Sequence, residues 1–123
     1  MGTHTIIVRT LDAGPVTMPE PAWCLGQHEH QNGGYRADIA HQGPETTVAF
    51  RGFEVLAAGL VAYPFAERRG PAPAVAVDMG ADWLSLDADG LDTLASALVD
   101  HGARLRALAR ELSVLRATSG GGQ

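Results

Sequence analysis

At 123 residues, with 46% hydrophobic and 19% charged side chains, the chain is long enough for one modest core and too ordinary in composition to be disordered or fibrous. Its net charge of −5 argues against broad nucleic-acid binding, which needs positive potential to displace counterions. A single cysteine excludes an intramolecular disulfide, and the longest apolar run, around Val55 to Tyr63, is too short for a membrane span and contains Gly59.

In chain order, Thr5 to Leu11 is rich in β-branched residues and predicts an opening strand, with no charged-then-apolar leader before it. That start, with the lone thiol, leads us to expect a cytoplasmic protein that makes no membrane contact. Asp12-Ala13-Gly14-Pro15 ends the strand. From Met18 to Pro44 prolines and glycines break any regular period, so this stretch predicts a loop that stays ordered only if something holds it. Thr46 to Phe50 and Phe53 to Tyr63 predict two strands around an Arg51-Gly52 turn. Pro64 to Pro73 reads as an exposed connection, Pro73 to Met79 as a further strand, and Trp83-Leu84 as a short one.

The last element predicts a helix over 86–116, with Ser85 or Asp87 as its N-cap. Leucines recur at 91, 98, 105 and 112 and again at 94, 108 and 115, with His101 in the remaining place, which are heptad a and d positions. Such a helix is about 45 Å long, more than twice a typical strand. Two readings follow. Either a second copy of the chain covers the later leucines, giving a homodimer, or the helix kinks at Gly102 and buries both halves in its own domain; we favour the homodimer. Asp87, Asp89, Asp92 and Asp100 precede Arg104, Arg106, Arg110 and Arg116, the polarity a helix dipole favours. These arginines scatter around the helix at 100° per residue, so they build no nucleic-acid-binding face. Residues 118–123 predict a disordered tail.

The segment that carries chemistry is the proline- and glycine-broken loop, 19–44. Trp23-Cys24-Leu25-Gly26-Gln27-His28-Glu29-His30 and then Ile39-Ala40-His41 bring the only cysteine and three of the five histidines together. Thiolate and imidazole are preferred zinc ligands, and a Cys-x3-His step suits one tight turn. Cys24, His28 and His41 are the first three candidate ligands. The fourth is open among His30, Glu20 and Asp38. His30 enters because residues two apart on an extended stretch point the same way. A packing role for Cys24 beside Trp23 is the bland alternative.

Catalytic signatures are missing. His28-Glu29-His30 is not H-E-x-x-H, no P-C-x-x-C follows, there is no Lys for a P-loop, and no G-x-S-x-G is present. Cys24 has no distant isolated His and Asn that would mark a nucleophile. A zinc hydrolase or transferase would need Glu29 or Glu45 as its base, and it is the second reading.

Pro21-Ala22-Trp23-Cys24, then His28, then His41-Gln42-Gly43-Pro44, resembles the signature of an uncharacterised family of small actinobacterial proteins. The resemblance runs from roughly Pro19 to His101 and includes the closing Trp83-Leu84-Ser85 and the alanine- and leucine-rich helix. In that family a second cysteine often precedes the Pro-x-Trp-Cys step, which implies a Cys2His2 zinc set; here Glu20 stands in its place. The resemblance implies zinc and no particular activity.

The expectation is therefore a single α+β domain over 1–117: a small antiparallel sheet of four to six strands, a metal-stapled loop and a long C-terminal helix. Its zinc is structural. Its function is that of a non-enzymatic interaction or regulatory accessory, a homodimer through its helix that meets a further protein partner.

Overall fold

The structure is a computed structural model and describes residues 4–68 and 70–121. The chain divides into two compact units, Met1–Asp87 and Ala88–Gln123.

In the first unit, β1 (Thr5–Thr10) pairs antiparallel with β2 (Gly14–Pro19) as a separate two-stranded ribbon. The sequence predicts β1 but not β2, since it ends the first strand at Asp12–Pro15 and predicts a loop from Met18 onward. In a ribbon of two strands each has an unpaired edge, so a proline's missing N–H is tolerated. Thr10 pairs with Gly14 around a three-residue loop. Gly14 has φ +64°, the left-handed residue that closes such hairpins, while the Ala13 N–H donates to Thr10 Oγ1 at 2.9 Å. The ribbon alternates cleanly. Ile6, Val8, Val16 and Met18 face inward and meet Ile39 and Phe65 as the hydrophobic cluster, whereas Ile7 and Thr17 face out.

The second sheet has strand order β3-β4-β5-β6, all antiparallel, formed by β3 (His41–Phe50), β4 (Phe53–Ala62), β5 (Ala74–Asp78) and β6 (Trp83–Leu86). Two small sheets thus replace the single one expected, and the α+β class stands. β3 and β4 join through Arg51 and Gly52, with φ of 51° and 82°; both are positive, as a type I′ hairpin turn requires. The register slips between Gln42 and Glu45, so Gly43 and Pro44 form a bulge where an edge strand can hold a proline. A Cβ on Gly43 would stand 3.3 Å from the Trp23 carbonyl oxygen and 3.4 Å from its ring, so glycine is what lets the loop lie against β3.

The loop between the sheets is held by more than side chains. Leu25 N–H donates to the Gln42 carbonyl, Gly33 N–H to that of Arg9 and Leu11 N–H to that of Gly34, each at 2.8 Å. Arg36 lies 4.1 Å over the Phe65 ring, and its N–H donates to Asp12. Two short 3-10 turns, Glu29–Gln31 and Arg36–Asp38, take up the slack.

The second unit is α1 (Ala88–Gly121), 34 residues and about 51 Å long. It begins immediately after Asp87, one of the two expected caps, runs unbroken through Gly102, and continues past 116 over part of the segment expected as a disordered tail. Residues 122 and 123 of that expected tail lie outside the described residues. Leu98, Leu105, Leu108, Leu112 and Leu115 are all exposed along it. Among the described residues no helix is long and apolar enough to cross a membrane.

Candidate metal centre

Four side chains converge where the ribbon, the loop and β3 meet: Glu20, Cys24, His28 and His41, each with one ligand atom within 4.8 Å of the others. Each arrives by a local rule. Glu20 follows β2, and its N–H extends the ladder by donating to the His4 carbonyl at 2.8 Å. The alternation that turns Val16 and Met18 inward therefore turns Glu20 inward too, leaving it 2% exposed. Cys24 closes a tight turn, its N–H donating to the Pro21 carbonyl at 3.0 Å. Gly26, at φ +79°, then returns its N–H to Cys24 Sγ at 3.4 Å. His28 caps the first 3-10 turn, and His41 opens β3, its ring edge-on to His28 and to Trp23.

The distances describe atoms aimed at one point. His28 Nε2 lies 3.1 Å from both Glu20 oxygens and 3.5 Å from Cys24 Sγ. One ring nitrogen offers a single proton or a single lone pair, so it cannot satisfy three partners at once. His41 Nδ1 is 2.8 Å from Glu20 Oε1, yet it is buried and makes no aligned hydrogen bond among the described residues. A tetrahedral zinc with bonds of about 2.0–2.3 Å holds its ligand atoms roughly 3.3–3.8 Å apart, a spacing that shifts of about half an ångström would give the contacts described here. The donor set also suits the ion: one thiolate and one carboxylate balance a divalent charge, and two imidazoles complete the tetrahedron.

Protonation tendencies agree in part. Burial pushes the Glu20 carboxyl up, but the hydrogen bonds of Cys24 and His28, the charge of His28 and the close approach of His41 together outweigh it, leaving Glu20 below the usual carboxylate range. Burial also lowers the proton affinity of His41 more than Glu20 restores it, so this imidazole is neutral at pH 7. Both are the ligand forms. Cys24 goes the other way: burial raises its thiol, Glu20 adds to the rise, and the Gly26 N–H opposes it. A divalent ion is the charge that would reverse this.

A nucleophile triad is a poor description of the same atoms. A relay needs the carboxylate on the ring nitrogen opposite the one that serves the thiol. Here Glu20 and Cys24 face the same nitrogen, and His28 Nδ1 faces Gln31 Oε1 at 3.2 Å.

Of the ligands read from sequence, Cys24, His28 and His41 come together and His30 does not. His30 is exposed within the 3-10 turn, where the backbone advances about 120° per residue, so it no longer shares a side with His28. Asp38 is exposed in the second such turn. Glu20 is the fourth member of the cluster, and the period-2 pattern of Val16, Met18 and Glu20 was the available signal. Glu29 and Glu45, the candidate bases, are also exposed. Glu45 lines a cleft of about 830 Å3 with Leu60 and Trp83, and none of the four converging residues lines it.

The chain matches DUF6907, a domain of unknown function, over residues 5–114, and it belongs to that family; all four converging residues lie inside the matched span. No curated protein and no solved structure matches.

Proposed function

We propose that this DUF6907 domain is a structural zinc protein, with Glu20, Cys24, His28 and His41 as its ligands. In this reading it is a non-enzymatic accessory that acts by contact with a partner protein in a reducing compartment such as the cytoplasm. The observation that carries it is the convergence of four donors, with a buried His41 Nδ1 that has a carboxylate oxygen at 2.8 Å and no aligned hydrogen bond. A cation between these buried donor atoms would satisfy the His41 nitrogen and the Glu20 carboxylate together. Zinc suits the mixed thiolate and imidazole set. Four protein donors leave no coordination position for water, which favours a structural over a catalytic ion.

The helix supplies the second part of the reading. Its exposed leucines at a and d positions suit a second copy of the chain, with Arg104 and Glu111 at g and Arg116 at e flanking the seam. In a parallel pair, Glu111 of one copy meets Arg116 of the other, a g-to-e′ contact.

Zinc content and thermal melting of the purified chain, before and after a chelator, test the first part. One zinc per chain and a chelator-dependent drop in Tm are expected; a chain that melts identically in both conditions contradicts it. Sedimentation equilibrium tests the second, with a dimer expected and a monomer at all concentrations contradicting it.

A further inference from the structure

An amide side chain has one donating end and one accepting end. Gln31 uses both on the backbone of Ala40: its Nε2 donates to the Ala40 carbonyl at 3.0 Å, and the Ala40 N–H donates to its Oε1 at 3.2 Å. That double pairing decides which end is which, since a flipped amide would set donor against donor and acceptor against acceptor. The atom facing His28 Nδ1 at 3.2 Å is therefore an oxygen, which requires a proton on Nδ1. A neutral imidazole protonated there carries its lone pair on Nε2, the nitrogen that faces Glu20 and Cys24.

We infer that Gln31 is the positioning residue of the centre: it holds His28 in the tautomer that ligates through Nε2, and by clamping Ala40 it sets the chain from which His41 enters. This rests on the zinc reading above. Gln31 touches no converging donor atom. It acts on one histidine through the far ring nitrogen and on the other through the preceding peptide, so one side chain registers the loop against β3. Partners of this kind, one bond behind the ligands, typically account for about 10–100-fold in metal affinity.

The test uses the 15N-labelled full chain at neutral pH, with and without zinc. Long-range 1H–15N spectra read the ring protonation of His28, and competition with a chromophoric chelator reads zinc affinity. We expect His28 to carry a proton on Nδ1 in both states, with zinc shifting chiefly the Nε2 resonance and leaving Nε2 unprotonated when bound. Gln31→Ala should bind zinc about 10–100-fold more weakly and show mixed tautomers without metal. Gln31→Glu keeps an acceptor for Nδ1–H but has no donor for the Ala40 carbonyl. It should therefore retain the Nδ1–H tautomer and recover part of the affinity, whereas a clamp that acted on Ala40 alone would leave it no better than alanine.

His28 protonated on Nε2 and bare at Nδ1, in either state, overturns the inference and leaves the zinc reading standing. So does an unchanged affinity in Gln31→Ala, or a glutamate variant no better than alanine. If the alanine variant does not fold, the wild-type tautomer and the glutamate variant decide. A wild-type chain that takes up no zinc overturns the zinc reading itself, and Gln31 as a ligand-positioning residue falls with it.

Discussion

Replacing Glu20 by Gln separates a metal centre from an ordinary buried ion pair, because the two respond differently to a chelator. Glu20 is 2% exposed, with oxygens 3.1 Å from His28 Nε2 and 2.8 Å from His41 Nδ1. In a zinc-loaded site the amide leaves one positive charge uncompensated. Removing one partner from a buried charged set costs about 3–5 kcal/mol. At about 1.4 kcal/mol per decade, that is roughly 100- to 4,000-fold in zinc affinity. With zinc saturating the wild type, lost affinity is lost stability. At about 4–8 °C per kcal/mol for a domain of this size, Tm should fall by roughly 12 °C or more. In chelator the loss should be much smaller: the amide gives up the interactions that hold the carboxylate below its usual range, but its NH2 donates to one histidine nitrogen and no metal charge is left uncompensated. Melts with and without chelator, followed by circular dichroism, measure both arms. An equal loss of Tm in the two conditions would refute the reasoning and make Glu20 the counter-ion of protonated histidines.

Three further outcomes can be checked on the same preparation. Cys24→Ser removes the thiolate and should abolish zinc uptake with a fall in Tm like that of Glu20→Gln; zinc uptake and stability both retained would contradict the ligand set. His30→Ala should leave zinc affinity unchanged, since His30 is exposed and outside the cluster, and a loss of an order of magnitude would return it to the fourth position. Arg51 sits at φ 51°, where a side chain pays about 1 kcal/mol. Asn tolerates that conformation better, so Arg51→Asn should stabilise the first unit by about 0.5–1 kcal/mol in thermal melts, and a lower Tm would contradict the turn assignment.

What could be read from the chain depended on how local the governing physics was. The β3–β4 hairpin was legible because Arg51-Gly52 separates two β-rich runs, and the leucine heptads marked α1 because their period needs no tertiary partner. Cys24, His28 and His41 stood out by type and clustering alone. β2 was missed because Pro15 and Pro19 look like breakers, and only pairing in a two-stranded ribbon makes them harmless. With β2 lost, the alternation that carries Glu20 inward was lost too, and His30 stood beside it as a candidate on the assumption of an extended backbone that the 3-10 turn removes. Gln31 gave no signal in the sequence, because its role exists only once Ala40 and His28 are brought to its two sides.

The central claim is that four side chains hold one ion. Native mass spectrometry of the tag-free chain, before and after treatment with a chelator, tests it most directly. The account predicts one zinc per chain, removed by the chelator and absent from Cys24→Ser. A chain that flies metal-free after purification and reconstitution with zinc would contradict it, and the convergence of Glu20, Cys24, His28 and His41 would then be hydrogen bonding alone.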